Sequence, residues 1–172
     1  MTSRVIHQGQ IITLKLEQAR MPDGRIVELE IVEHPGGAAV VALDGNDQVC
    51  LLNQYRHAAG GWILELPAGK HDAGDTPFNT AQRELAEEAG LVARNWTALG
   101  SIISSPGVFT EVVHLFLARD LTAVSMQHEK NEFIELRWLP FAEALAHSRA
   151  GDITDAKTVI GLFRAASLLA TG

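Results

Sequence analysis

The order of patterns along the chain predicts an α/β protein: a mixed sheet with helices on its faces, preceded by a small antiparallel β unit. Three observations carry this. Strand-like runs fill residues 4–66 and return at 96–121 and 133–140. One sharply punctuated helix, beginning near Asp75 and ending at Gly90, interrupts them. Two further helical stretches, 141–151 and 155–170, close the chain. The β-α-β alternation of a doubly wound sheet does not recur.

Residues 4–18 hold Val5, Ile6, Ile11, Ile12, Leu14 and Leu16 in weak alternation, enough for one or two strands. Met21-Pro22-Asp23-Gly24 has turn chemistry. In 25–34, Ile26, Leu29 and Ile31 face Glu28, Glu30 and Glu33 with a period near two, as in a half-solvated strand. Pro35-Gly36-Gly37 ends it. The run 38–43 (AAVVAL) is continuously apolar, as a strand covered on both faces would be. Asp44-Gly45-Asn46-Asp47 reads as a hairpin turn, 49–56 as the returning strand and 62–66 as a strand running into a Pro-Ala-Gly loop.

The central helix has clear ends. Asp75 or Thr76 can cap it, Pro77 fits its first turn, and Gly90 fits a left-handed stop. At about 100° per residue, Phe78, Leu85 and Ala89 share the expected core face, and Glu84, Glu87 and Glu88 a face roughly opposite. Residues 96–105 and 112–121 read as strands, 122–132 as a polar loop long enough to be functional, and 133–140 as a last strand. In the final helix Val159, Leu162, Phe163, Ala166 and Leu169 form the expected inward stripe.

A chain of 172 residues is one domain or one domain with a small extension, and it divides here into residues 1–36 and 37–172. Its apolar share of 47% allows a core that needs no disulfide. The net charge of −7 disfavours a nucleic-acid binder, which would carry a basic face, but not a small anionic substrate met through a cation. The one cysteine, Cys50, lies in an apolar run and reads as a core thiol. No signal pattern and no membrane-length apolar stretch is seen, so a cytoplasmic setting without membrane partners is expected. The seven histidines show no metal-ligand spacing.

The chemistry centres on the helix. Glu84 and Glu88 are one turn apart, and Glu87 flanks them. Like charges at this spacing repel by a few tenths of a kcal/mol per exposed pair. Either the face is simply solvated, or a cation belongs there; Mg²⁺ would take such oxygen ligands and keep waters and substrate phosphates in its shell.

The surrounding residues favour the cation. Gly69-x5-Asp75-x7-Arg83-Glu84-Leu85-x-Glu87-Glu88-x-Gly90-Leu91 resembles the Nudix box, G-x5-E-x7-R-E-U-x-E-E-x-G-U, with U an aliphatic residue. One fixed position departs: Asp75 stands where the family usually has Glu, keeping a carboxylate on a shorter stem. The stretches 51–70 and 104–121 are similar to the ADP-ribose pyrophosphatase branch, as is Pro106, sixteen residues past Gly90.

This resemblance implies an α/β/α sandwich with the small N-terminal β unit helping to form a homodimer. It implies hydrolysis of ADP-ribose or another nucleoside diphosphate sugar, with Mg²⁺ or Mn²⁺, to a nucleoside monophosphate and a sugar phosphate. Glu84, Glu88, Glu87 and the Ala68 carbonyl are the implied metal ligands, and Arg83 an orienting ion-pair partner. The general base is expected in the loop before the last strand, at Glu132 in preference to Glu129. Arg56 and Glu111 are implied substrate contacts, as are Ser105 and Phe109, and Arg25 and Glu33 of the N-terminal unit; His34 lies near the nucleoside. Residues 1–36 hold no Phe, Tyr or Trp, so a base there would rest on aliphatic or arginine side chains, and a broad nucleotide range is expected. A GDP-mannose-type hydrolase of the same branch is the alternative. A non-catalytic nucleotide-binding regulatory domain is a further one, although such domains typically lose the box carboxylates that are present here.

Overall fold

The computed structural model describes residues 2–126 and 133–171. Its first part is a three-stranded antiparallel meander of β1 (Ser3–Gln8), β2 (Thr13–Arg20) and β3 (Ile26–Glu33). The β2–β3 turn closes through Met21 N–H to Arg25 O at 2.8 Å and Gly24 N–H to Met21 O at 2.9 Å. Gly24 sits at φ +89°, where a side chain would be strained.

A seven-stranded mixed sheet follows, in the order β10-β5-β4-β9-β8, with β6 added to β5 and β7 to β4. Its strands are β4 (Gly37–Leu43), β5 (Gln48–Arg56), β6 (Gly61–Glu65), β7 (Ala68–Lys70), β8 (Leu91–Ile103), β9 (Val112–Ala123) and β10 (Ile134–Pro140). The helices are α1 (Pro77–Ala89), α2 (Phe141–Ala150) and α3 (Ala156–Leu169). β4 runs parallel to β9, and the other pairings are antiparallel.

β4 shows why its sequence is apolar at every position. Ala39, Val41 and Leu43 point into a core shared with Ala144 and Leu145 of α2 and Leu162 and Ala165 of α3. Ala38, Val40 and Ala42 point into a second core with Ala81, Leu85 and Ala89 of α1. The sheet is covered on both faces, the α/β/α arrangement expected. Among the described residues no helix is long and apolar enough to cross a membrane.

Backbone hydrogen bonds tie the three-stranded sheet to the loop that precedes β9. Val32 N–H donates to Val108 O at 2.7 Å, and Thr110 N–H donates to Val32 O at 3.0 Å. The Pro106 loop therefore fixes the end of β3 beside the sheet.

Two local expectations need correction. On α3, Leu162 is buried and Val159 and Ala166 pack against the same core as expected, together with Thr158, Gly161 and Ala165, whereas Phe163 is 38% exposed, under the Arg149 guanidinium, and Leu169 is also exposed. Small residues face the sheet because it lies close: a Cβ on Gly161 would come within 2.8 Å of Leu66 Cδ1 and 3.2 Å of Val41 Cγ2. On α1, Glu84 and Glu88 are not opposite the core; they are buried beside Leu85 and Ala89.

Candidate functional site

Helix α1 begins and ends where its sequence dictates. Thr76 Oγ1 accepts from Asn79 N–H at 3.2 Å, Pro77 fills the first position, and Gly90 stops the helix at φ +63° with its N–H on Ala86 O. The carboxylates are thereby set against β7. Glu88, 2% exposed, accepts from Ala68 N–H at 2.7 Å. Glu84, 7% exposed, lies so close over Gly69 that a Cβ there would overlap its carboxylate. A Cβ on Gly37, one layer back in β4, would likewise overlap Gly69 O. Two glycines thus let β4, β7 and the glutamates stack without a gap.

Arg83 holds the outer edge of this layer. Its Nη1 donates to Glu84 Oε1 at 2.7 Å and Glu87 Oε2 at 3.1 Å, and its Nη2 to Lys70 O at 2.9 Å. Asp72 and Asp75 lie 3.5 and 3.6 Å from Nη2. Burial alone would lower the Arg83 pKa; the Glu84 charge and the bonds to Glu87 and Glu84 outweigh it and hold the group above its ordinary value. Asp75, the residue that departs from the box pattern, still reaches this arginine.

Glu84, Glu87 and Glu88, with Ala68 and Gly69, form one side of a cleft of about 470 Å³. Arg56, Asp155 and Lys157 line the same cleft, as do His34, Ser104 and Glu111. His34 Nδ1 accepts from Gly36 N–H at 3.0 Å and lies 3.4 Å from Glu111 Oε1.

The other expected contacts fall elsewhere. Phe109 stacks on His34 with ring centroids 5.2 Å apart, and Ser105 O accepts from Val108 and Phe109 N–H; neither residue lines the cleft. Glu33, ion-paired to Lys15, lines an adjoining shallow depression with His34 and Thr110. Arg25 is exposed and paired with Asp23 at 2.6 Å, seven residues before Val32 and roughly 20 Å or more along the strand. Glu129 and Glu132 lie outside the described residues.

Three residues at or behind the cleft escaped sequence reasoning. Glu65, 1% exposed, accepts from Arg56 Nε at 2.6 Å. Lys157 and Asp155 stand beside it. The β5–β6 register sets Arg56 opposite Gly61 and Leu52 opposite Glu65, so the pair does not meet across one rung and no sequence spacing marks it. Asp155, counted in the last helix by the sequence pattern, is its N-cap in the structure, a role its residue type signals. For Lys157 no sequence signal existed. Cys50, behind Glu88, is a core thiol: burial and the Glu88 charge push its pKa up to about 12.

The donor set tests well for a hard divalent cation. It consists of carboxylate oxygens, two of them buried, gathered over a glycine cradle at the bottom of a cleft. Among the described residues, no three His, Cys, Asp or Glu side chains already converge as a complete cage.

Residues 33–159 match the NUDIX domain family, and the chain belongs to the Nudix hydrolases. Within that class it is 40% identical over 164 residues to an ADP-ribose pyrophosphatase of Mycobacterium tuberculosis, covering 94% of this chain and 79% of the relative. A GDP-mannose pyrophosphatase of Cronobacter sakazakii is 34% identical over 151 residues, covering 80% of this chain and 78% of the relative. A crystal structure of an ADP compounds hydrolase superposes with a TM-score of 0.85 over 99% of this chain and 93% of that one; at 22% identity the likeness carries the fold alone.

Proposed function

We propose that this Nudix hydrolase cleaves the pyrophosphate of ADP-ribose, or of a related nucleoside diphosphate sugar, to a nucleoside monophosphate and a sugar phosphate. The observation that carries the reading is the pairing, in one cleft, of the box carboxylates Glu84, Glu87 and Glu88 with Arg56 and Glu111. The first suits a cation, the second a phosphate and a ribose diol. ADP-ribose is favoured over GDP-mannose because the ADP-ribose pyrophosphatase is the nearer of the two relatives, at 40% against 34% identity.

Glu84, Glu88 and Glu87, with the Ala68 carbonyl, would hold Mg²⁺, or Mn²⁺ in its place. Such an ion, when bound, neutralises pyrophosphate oxygens and acidifies a water. The chain's own residues do the rest. Arg83 holds the Glu84 and Glu87 carboxylates in place, Arg56 binds a phosphate oxygen, and Glu111 accepts from ribose hydroxyls. Glu132 removes the proton from the attacking water, with Glu129 the second candidate. The protein works in the cytoplasm as a homodimer.

The test measures AMP release from ADP-ribose and GMP release from GDP-mannose, with Mg²⁺, with Mn²⁺ and with a chelator. Turnover of ADP-ribose that disappears with the chelator is expected. No turnover of either compound with either metal leaves the non-catalytic alternative and sinks this reading. Glu132→Gln is expected to keep its melting temperature and to lose about 10²–10⁴ of kcat. Near-normal kcat there, with the loss seen in Glu129→Gln instead, moves the base to Glu129.

A further inference from the structure

Behind Arg83 runs a short chain of hydrogen bonds that the Nudix box does not include. Arg83 is braced unevenly. Its Nη1 holds Glu84 and Glu87 and its Nη2 holds Lys70 O, yet its Nε is buried with no partner among the described residues. Two carboxylates stand at Nη2, Asp72 at 3.5 Å and Asp75 at 3.6 Å. The Asp72 side chain is mostly exposed, and an exposed ion pair holds little. The Asp75 side chain is the more buried of the two. At 3.6 Å it attracts the guanidinium without completing a hydrogen bond. The shorter stem is the cause: a carboxylate one methylene longer, as in the box pattern, would close the gap.

Asp75 is held from its other side. Its Oδ2 accepts from the Thr80 hydroxyl at 3.3 Å. Thr80 lies in α1 and is fully buried. The same hydroxyl lies 2.8 Å from His71 Nδ1. A carboxylate only accepts, so the one hydroxyl proton points to Asp75, and His71 Nδ1 supplies the proton of the other bond. Burial, and the His114 ring 5.8 Å away, hold the His71 pKa below its ordinary value. The imidazole is therefore neutral at neutral pH, and its single proton is the one on Nδ1. His71 is fixed in turn by its own N–H, which donates to Gly36 O at 3.1 Å. The loop between β7 and α1 is thus tied to the turn before β4 at one end and to the interior of α1 at the other.

We propose that His71 and Thr80 are positioning residues for the metal-binding carboxylates. The chain from His71 Nδ1–H through the Thr80 hydroxyl fixes Asp75 beside Arg83, and Arg83 fixes Glu84 and Glu87. Two residues outside the box do what the missing methylene would otherwise do. The inference rests on the reading of Glu84 and Glu87 as metal ligands.

The experiment compares wild type, Thr80→Val, Thr80→Ser, His71→Leu, His71→Asn, Asp75→Glu and the double variant Asp75→Glu/Thr80→Val. kcat, KM for ADP-ribose and the Mg²⁺ half-saturation are measured in the assay. Mn²⁺ binding to the metal-free protein is measured by calorimetry, and the His71 tautomer by nitrogen-edited NMR. Thr80→Val and His71→Leu are each expected to lower kcat about tenfold and to weaken Mn²⁺ binding about tenfold, as loss of a group behind a metal ligand does. KM at saturating metal should stay within about twofold, because the substrate contacts are untouched. Thr80→Ser, which keeps the hydroxyl, and His71→Asn, which keeps an N–H near the Nδ1 position, should restore much of the loss. The deciding comparison is made in Asp75→Glu, whose longer side chain reaches Arg83 unaided. There the further change Thr80→Val should cost less than about twofold, against tenfold in wild type. A full tenfold cost in both backgrounds overturns the proposal, since Thr80 would then act by another route. Lower melting temperatures with unchanged kcat and Mn²⁺ binding make the chain structural only and also overturn it. A wild-type His71 protonated on Nε2 reverses the order of donors and does the same. If Thr80→Val fails to fold, His71→Leu, at a half-buried site, carries the comparison. Wild type that cleaves no nucleotide sugar sinks the hydrolase reading, and Mn²⁺ binding with the tautomer then decides the chain alone. Wild type that also binds no Mn²⁺ overturns both.

Discussion

At the residue scale the site depends on what is missing from Gly69 and Gly37. A Cβ on Gly69 would overlap the Glu84 carboxylate, and one on Gly37 would overlap the Gly69 backbone oxygen. The two clashes resolve differently. Glu84 can swing the end of its side chain, which costs little stability but misplaces a group the chemistry needs. The β7 backbone cannot move without disturbing its pairing to β4. Gly69→Ala is therefore expected to lose about 10²-fold in kcat, the scale of a 1 Å misplacement, with little change in melting temperature. Gly37→Ala is expected to cost about 1–3 kcal/mol through overpacking, a drop of roughly 2–4 °C per kcal/mol. Thermal melts and kcat on the two variants check the contrast. Wild-type kcat in Gly69→Ala would mean that Glu84 is not needed where it stands.

At the scale of elements, legibility followed sequence distance. The ends of α1 could be read because Thr76, Pro77 and Gly90 act on their own turns. β4 could be read because burial on both faces leaves a continuous apolar run. The box glutamates were legible as a group, but not as buried ones. Their covering layer, β7, is three residues that pair with a strand thirty residues earlier, and alone they look like a loop. Lys157 and Glu65 are 92 residues apart, and nothing local announces their meeting. The phase of α3 is only partly legible for a different reason: large apolar residues such as Phe163 and Leu169 suggest an inner stripe, but the sheet lies so close that Gly161 and Ala165 must face it. The corrected phase makes an unequal pair of predictions. Leu162→Ala, at a site with 0% exposure, is expected to cost about 2–5 kcal/mol. Phe163→Ala, at a half-exposed site, is expected to cost about 1 kcal/mol or less, mostly the Arg149 contact. Denaturant unfolding that reversed this order would put Phe163 back among the inward residues.

At the scale of the whole molecule, the three-stranded sheet is the part a single chain does not explain. Val5, Ile6, Ile11, Ile26 and Leu29 are all exposed on it. A sheet of three strands needs a covered face to be stable in water, and here it is anchored to the rest through the Val32 and Val108–Thr110 contacts. A second copy of the chain is the cover we propose. Particles of twice 18.6 kDa are then expected by light scattering at micromolar concentration, with an interface on the order of 1,600 Å². Ile26→Lys combined with Leu29→Lys should yield monomers. The location of Arg25 gives this prediction a sharper form. It lies at the end of β3 away from its own cleft, so any contact it makes with substrate belongs to the neighbouring subunit. Arg25→Ala and Glu88→Gln should each lose most activity as homodimers, one for want of the arm and the other for want of the carboxylate. Mixed and allowed to exchange, they should recover up to about one quarter of wild-type activity, because half of the dimers then carry one intact arm-and-cleft pair. A full-activity monomer overturns the dimer outright. A dimer in which mixing recovers nothing keeps the covered face but confines each cleft to its own chain.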